Sequence, residues 1–487
     1  MALEYYKLEM WVNLVTLIFL TIFALPNIKI KKKDLLPILI VCLASLTTLF
    51  FDFSHHARAS EFEYLPLAEG IAKGWGNIHC TNYVDGKCLG FRYSTRTSAF
   101  PLLVVPFIWL GLGVAKAGRI VNLILGTLSG AFMYLAIKEQ VDRKKGLIGG
   151  LAFTILIPKL QLQFTALSEI SSMTFLVISL YFMSRLSKSK DKKNFIASSI
   201  AISFFANIRP ENFLGALPLG LWVIYIFFKK EFFKEKTNKF WVFFLCLNWL
   251  FASYVMFSQT DAEGWDWTLK KRIELFINQS PRNLTQLINN TEIANPVMSL
   301  LFVWGVINAV KDKNFMLIAV AFSFVILFGV YSSFDFDAFG LPRMLLLLTL
   351  ISFIGSIHLP SDTLILGAFI FFSFALVLTN SSFHREESIN DLYNFFEEDL
   401  FNISNESRPI YFTPEQVLHL IFPNKTFKAQ DRIKNPQQIG GLLNGEAIYI
   451  YSSHMTSEVS IPQICNLTLL EEYRYAKKYL LKCSFVH

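Results

Sequence analysis

The sequence predicts an α-helical polytopic membrane protein that ends in a small soluble α/β domain. Three observations predict it. Apolar runs of about 17 to 21 residues, the length a bilayer demands, recur through roughly the first 380 positions. Only 17% of the residues are charged while 53% are hydrophobic, a balance far oilier than that of an average soluble domain. Lys and Arg gather in short connections between the apolar runs, as the positive-inside bias requires. The net charge of +8 is accounted for by those clusters, so it does not point to nucleic acid.

The elements follow in order. A first apolar run near 8–28 lacks a basic leader and a small-residue cleavage site, so it reads as a retained span. The basic clusters at 29–33, 138–145, 185–193, 229–239 and 311–313 all fall on the cytoplasmic side at once if even numbers of spans separate them. That constraint gives about twelve helices, near 8–28, 35–51, 118–137, 147–165, 171–187, 195–208, 212–228, 240–258, 296–310, 314–332, 342–358 and 363–379. Both termini then face the non-cytoplasmic side.

Three stretches remain outside. They divide the chain into a membrane domain, 1–379, with outer loops 52–117 and 259–295, and an extracytoplasmic α/β domain, 380–487. In the first loop, "RYSTRTSAFPLLVVPFIWLG" holds an apolar piece with two prolines that is too short to span, and it reads as a helix lying in the outer interface. In the second, "WDWTLKKRIELFI" reads as an amphipathic surface helix. In the tail, "RPIYFT" and "EAIYIYSS" are strand-like, whereas "PEQVLHLIF" and "NPQQIGGLLNG" are helix-like.

Cysteines agree with this sidedness, because thiols pair outside the cytoplasm. Cys42 and Cys246 lie in spans, while Cys80 with Cys88 and Cys465 with Cys483 are close pairs in outer segments. Disulfides are expected there, with the connectivity of the four left open by proximity alone. The Asn-x-Ser/Thr sites at Asn278, Asn283, Asn289, Asn380, Asn402, Asn405, Asn424 and Asn466 are outer as well.

The stretch "RASEFEYLPLAEGIAKGWG" places Glu61, Glu63 and Glu69 just beyond the second span. Ionisable groups at a membrane boundary need water, a partner or a chemical role. A solvated amphipathic helix would satisfy the first need. The wider pattern suggests the third. An acid is followed by Tyr64, Ala68, Gly74 and Gly76, then by Thr95, Arg96, Phe100 and Pro101, then by "AKAGRIVNLILGTLSGAFMYLAIKE". This resembles the first outer loop and following helix of the glycosyltransferase-C (GT-C) superfamily, nearest its protein O-mannosyltransferase and aminoarabinose transferase branch. "ANIRPENFLG" resembles that branch's mid-chain Arg-Pro-Glu turn, and "FGLPRMLLLLTLISFIG" a late helix start. The likeness runs over roughly residues 35–360.

The resemblance implies a GT-C-like bundle that transfers sugar from a polyprenyl or dolichyl phosphate donor to an acceptor glycan, lipid or protein at the extracytoplasmic face. Ser60 stands where the family has Asp, so the base falls to Glu61, with Glu63 and Asp52 as alternatives. A carboxylate there can take the acceptor's proton during an inverting displacement. Cations should then hold the leaving phosphate: Arg343 first, Arg209 second and Lys159 third, against snorkelling for Arg343 and an ion pair with Glu211 for Arg209. Tyr64, Arg96, Glu169, His55 and His56 are candidate substrate contacts. His-His adjacency is not the spacing that puts two metal ligands on one helix face, and relatives of this branch commonly work without a catalytic metal, so no cofactor is expected, with a divalent ion held in part by Glu169 as the alternative.

The rival class is a transporter or lipid flippase, which should show two matching halves with broken helices and charges at mid-bilayer. The sequence has no such repeat, and its acids cluster at the outer boundary. A membrane scaffold whose tail binds a partner is the third reading.

Overall fold

The computed structural model describes residues 2–46, 61–76, 78–84, 87–93, 96–163, 165–189, 191–229, 232–262, 269–289, 296–331, 341–360, 410–413, 427–429, 445–452, 465–472 and 476–483. The chain forms two compact units. One comprises Met1–Phe53, Thr95–Leu103 and Arg119–Ser382, the other Ser54–Ser94, Val104–Gly118 and Phe383–His487.

The first unit is helical. Helix α1, Ala2–Phe19, continues through a π turn at Leu20–Ala24 and ends in a 3-10 turn, Leu25–Asn27. Pro26 stops it, because proline has no N–H for the next turn. A second 3-10 turn, Lys32–Asp34, leads into α2, Leu35–Leu46. After the outer segment come α4, Ala99–Trp109, and α5, Val114–Gln140, of which the stretch Val104–Gly118 belongs to the second unit. Asp142 then caps α6, Arg143–Thr154, accepting the N–H groups of Lys144 and Lys145 at 2.8 and 2.9 Å.

The continuous span expected at 147–165 is broken. Pro158 sits in the first turn of a separate short helix, α7, Ile157–Leu162, where its missing N–H costs nothing but an unbroken helix could not continue through it. Seven longer helices follow: α8, Ser168–Ser189; α9, Lys192–Ile208; α10, Asn212–Lys229; α11, Lys236–Ala262; α13, Pro296–Lys311; α14, Phe315–Tyr331; and α15, Leu341–Ile357. Between α11 and α13 lies α12, Leu269–Asn289, which exposes Ile273, Ile277 and Leu284 while burying Leu287. That two-faced surface helix is the one expected from "WDWTLKKRIELFI", from Leu269 onward.

Among the described residues Leu8–Asn27, Val114–Gln140, Ser168–Ser189 and Asn212–Lys229 are long and apolar enough to cross a bilayer, and Val297–Lys311, Phe315–Tyr331 and Met344–Ile357 are shorter apolar helices of the same kind. The architecture is that of a helical integral membrane protein. The span expected at 363–379 lies outside the described residues.

Helix α8 is the centre of the bundle, buried from Ser168 to Leu186. It packs on α9, which packs in turn on α10 and α11, while α15 rests on α6, α8 and α13. Such contact in a membrane depends on small side chains, since lipid supplies no hydrophobic drive. Ser171, Ser172, Thr174, Ser179 and Ser184 line α8 for that reason. Gly149 serves α6 likewise, because a Cβ there would stand 2.5 Å from both Ile137 Cδ1 and Ser356 Oγ.

The basic clusters converge on one end of this unit. Asp34, fully buried, accepts from Lys138 Nζ at 2.8 Å, Tyr134 Oη at 2.9 Å and the Lys31 N–H at 3.0 Å, with Arg143 Nε 3.5 Å away. The Lys29 N–H donates to Tyr181 Oη at 2.9 Å, Arg185 donates to the Asn27 carbonyl, and Lys145 Nζ reaches the Ile357 carbonyl at 3.5 Å. The clusters at 29–33, 138–145 and 185–193 therefore lie together, as the topology requires. It follows that the C-terminal ends of α8 and α15 are here and their N-terminal ends are at the opposite end.

The second unit begins with α3, Glu61–Ala72, and a hairpin, β1, Ile78–Val84, and β2, Lys87–Tyr93. The strands were not expected in the outer loop, although the Asp85-Gly86 pair between them is a strong signal for a two-residue hairpin turn. The register sets Cys80 opposite Phe91 and Cys88 opposite Tyr83.

The tail supplies β3, Ile410–Thr413; β4, Phe427–Ala429; β5, Gly445–Ser452; β6, Cys465–Glu472; and β7, Ala476–Cys483. They form one sheet in the order β4-β3-β5-β7-β6. β3 runs parallel to β4 and β5, whereas β7 runs antiparallel to β5 and β6. "RPIYFT" and "EAIYIYSS" supply β3 and β5, and the helix-like tail segments lie outside the described residues.

Candidate active site

The acidic helix is shaped by its own sequence. α3 ends where Gly74 adopts φ +78°, a left-handed conformation that only glycine enters without strain. The Trp75 N–H then returns to the Gly70 carbonyl at 2.9 Å and the Gly74 N–H to the Ile71 carbonyl at 3.0 Å, the pair of bonds that closes a helix C-terminus in a Schellman motif. Gly70 lies so close to β1 that a Cβ would run into the Ile78 carbonyl oxygen.

Tyr64, Leu65, Leu67 and Ala68 are buried. Glu69, its side chain 13% exposed, pairs with Lys73 at 2.7 Å, one turn on. By helical spacing Glu61 shares the stripe of Tyr64 and Ala68, at i, i+3 and i+7, while Glu63 shares that of Gly70. The two candidate bases therefore occupy nearly opposite faces of α3. Asp52, His55 and His56 lie outside the described residues.

In the helical unit, the Arg-Pro-Glu turn between α9 and α10 builds a charged cluster. Arg209 is extended, φ −139° and ψ 147°, as a residue before proline prefers. Asn212 Nδ2 fixes the turn to α8, donating to Ser172 Oγ at 2.9 Å and to the Phe205 carbonyl at 3.0 Å. The Arg209 guanidinium donates to Glu211 Oε1 through Nε at 2.9 Å and Nη2 at 2.6 Å, and to Ser168 Oγ through Nη1 at 3.2 Å. The same Nη1 forms an ion pair with Glu169.

Glu169 is presented by the first turn of α8, where the helix dipole favours an anion. Asn122 on α5 steadies the approach to that turn, since its Nδ2 donates to the Thr165 and Leu167 carbonyls at 2.6 Å each and its Oδ1 accepts from Ser171. The sequence offered Arg209 and Glu169 as unrelated candidates, and the structure joins them. Asn122 was not foreseen, although an amide inside an apolar run is a signal in itself.

Lys159 is elsewhere. It is wholly buried beside α2, donating to Ser45 Oγ at 3.2 Å, Gln163 Oε1 at 3.3 Å and the Thr154 carbonyl at 3.5 Å. Its donors are thus directed at neutral acceptors inside the bundle. Arg343 lies in the first turn of α15, at the end of the unit where α8 also begins. Arg96 is half-buried, two residues before the buried Ser98 that precedes α4. Among the described residues no group of three or more His, Cys, Asp or Glu is placed to hold a metal.

The fold is shared with ArnT and with an archaeal oligosaccharyltransferase. The chain superposes on the apo structure of ArnT from Cupriavidus metallidurans with a TM-score of 0.60 and 9% identity, over 91% of this chain and 97% of that one. The same protein bound to undecaprenyl phosphate gives a TM-score of 0.54 at 9% identity and the same coverage. The Archaeoglobus fulgidus oligosaccharyltransferase in complex with Zn and sulfate gives 0.50 at 11% identity, over 86% of this chain and 68% of that one. No curated protein matches the chain in sequence.

Residues 101–257, about a third of the chain, match the family model described as dolichyl-phosphate-mannose-protein mannosyltransferase. Over those residues the chain is similar to that family, and over most of its length it shares the fold of ArnT.

Proposed function

We propose that the chain transfers a sugar from a polyprenyl-phosphate donor to an acceptor hydroxyl or amine at the extracytoplasmic face of the membrane, with inversion at the anomeric carbon. The matched family is described by a dolichyl-phosphate-linked mannose donor, and ArnT of the same fold is a protein with undecaprenyl phosphate bound. The observation that carries the reading is the grouping of charge. The Arg209 and Glu169 pair and the start of α15 share one end of the helical unit, and the clusters around Asp34 and Lys138 occupy the other. The positive-inside rule makes the second end cytoplasmic. About twelve spans, with the tail outside, complete this topology.

In the reaction, Glu61 accepts the proton of the acceptor as its oxygen or nitrogen bonds to the anomeric carbon, and the bond to phosphate breaks. The negative charge that develops on the leaving polyprenyl phosphate is held by Arg343, whose guanidinium can form a two-pronged bond to phosphate oxygens. Arg209 already engages two carboxylates, so its role in this scheme is to fix Glu169 beside the acceptor.

The test is to incubate the purified protein with labelled polyprenyl-phosphate sugars and measure release of polyprenyl phosphate. Release is expected, and Arg343→Ala should raise the donor KM. No release with any mannose, aminoarabinose or N-acetylhexosamine donor would overturn the proposal.

A further inference from the structure

Helix α1 is apolar, yet it carries a buried polar stripe. Glu9, Asn13 and Thr16, spaced i, i+4 and i+7, are each 1% exposed or less, whereas Leu8, Trp11, Val15, Ile18 and Ile22 face outward. A carboxylate inside a membrane bundle is expensive to desolvate, so its presence calls for a specific partner.

Glu9 has one. Its Oε1 accepts the Ser98 N–H at 3.1 Å, and its Oε2 accepts the Ser98 hydroxyl at 2.8 Å. Asn13 Nδ2 donates to Glu9 Oε1 and also to Ser98 Oγ at 3.0 Å, which closes the ring of contacts. Ser98 immediately precedes α4, so a carboxylate from another helix caps that helix's N-terminus, where N–H groups lack partners and the dipole favours an anion.

The chain of contacts continues. The neighbouring Thr97 donates through Oγ1 to the Ile208 carbonyl at 2.6 Å. Ile208 is the residue before Arg209, and Arg209 holds Glu169. Thr16 leads another way, to Asn248 on α11 at 3.1 Å, where Asn207 on α9 also donates at 2.8 Å.

We propose that Glu9 is a positioning residue of the transfer site: by holding Ser98 it fixes the Thr97 hydroxyl against the Ile208 carbonyl, and so sets where the Arg209 and Glu169 pair stands. This rests on the assignment of that pair to the acceptor side of the sugar transfer proposed above. Helix α1 then takes part in the catalytic geometry as well as in anchoring the chain.

The experiment uses the full chain in detergent with a polyprenyl-phosphate sugar that supports turnover. Glu9→Ala should lower kcat about tenfold with less than a twofold change in donor KM. Glu9→Gln keeps the shape but turns an amide N–H toward a donor-rich site, and should give a smaller fall of the same kind. It decides the matter if the alanine variant is not monodisperse. Thr16→Val, on the same stripe but linked to α11, should stay within twofold of wild type.

The double variant Glu9→Ala with Glu169→Gln should be no slower than the slower single variant, because both act on one unit. Multiplied effects, or Glu9→Gln and Glu9→Ala at wild-type kcat, would overturn the proposal. An inactive wild-type protein would instead overturn the transferase assignment beneath it.

Discussion

Arg209 and Glu169 face each other between the α9–α10 turn and the first turn of α8, with side chains 10% and 7% exposed. Glu211 takes the remaining edge of the same guanidinium at 2.6 Å. The Arg209 guanidinium thus bridges two acids, and its own side chain and that of Glu169 are largely buried. Removing it leaves two carboxylates close together and largely desolvated, so Arg209→Ala should destabilise the protein by about 3 kcal/mol. Adding Glu169→Gln should restore more than half of that loss. Thermal unfolding in detergent measures both, and an unchanged midpoint for Arg209→Ala would show that the cluster contributes no stability.

The Asp34 cluster gives a pH dependence at the other end of the unit. Burial raises the Asp34 pKa, but the Lys138 ammonium, the Lys31 N–H and the Tyr134 hydroxyl together outweigh burial and hold the carboxyl below its ordinary value. A depressed folded pKa means that the unfolded chain binds the proton first. The stabilisation is therefore complete above the unfolded value of about 4, and is lost as pH falls through the lower folded value. Unfolding midpoints measured from pH 6 downward should fall more steeply for wild type than for Asp34→Asn. Parallel curves would remove Asp34 from the acid response.

Much of the bundle was legible because span length and basic clusters are properties of single segments. α8, α10 and α14 stand within a few residues of their expected bounds for that reason. The break at Pro158 was legible in principle, but apolar length outweighed it. The candidate site was legible residue by residue and not as an arrangement. Arg209 and Glu169 are 40 residues apart, and only the packing of α9 on α8 joins them. Lys159 showed its charge but not its burial, and Glu9 sits at the margin of a run that reads as membrane anchor alone.

Gly70 tests the mounting of α3. Its missing side chain lets the helix meet β1 at the Ile78 carbonyl, and a backbone oxygen cannot rotate out of the way as a flexible side chain can. Gly70→Ala should therefore cost about 2 kcal/mol or more and reduce sugar transfer. Gly113→Ala, where a Cβ meets nothing within 4 Å, is the control. Equal melting temperatures for the two variants would contradict the close approach.

The register of the tail sheet brings two of the expected cysteines opposite one another. β6 and β7 set Cys465 directly opposite Cys483, and opposed residues in an antiparallel pair have Cα atoms about 4.5 to 5.5 Å apart, within the span of a disulfide. A non-reducing peptide map should recover a Cys465 to Cys483 cross-link. Cys483→Ala should then lower stability by roughly 3 kcal/mol, as expected for a closed loop of this size. Finding both thiols free in protein purified from an oxidising compartment would place the tail on the reducing side.

The two acids at the start of α3 can be told apart by the face they occupy. A general base must reach one proton on one acceptor, so two carboxylates on nearly opposite sides of a helix cannot both serve. Glu61 lies on the stripe of Tyr64 and Ala68, and Glu63 on that of Gly70, which backs onto β1. Glu61→Gln keeps size and polarity but cannot accept the proton, and should lower kcat at least about a hundredfold with the donor still bound. Glu63→Gln should remain within about tenfold of wild type. The stripe assignment also predicts pH dependence: the acid limb of kcat/KM should persist in Glu63→Gln and vanish from the residual rate of Glu61→Gln. The reverse pattern would move the base to the β1 side of the helix.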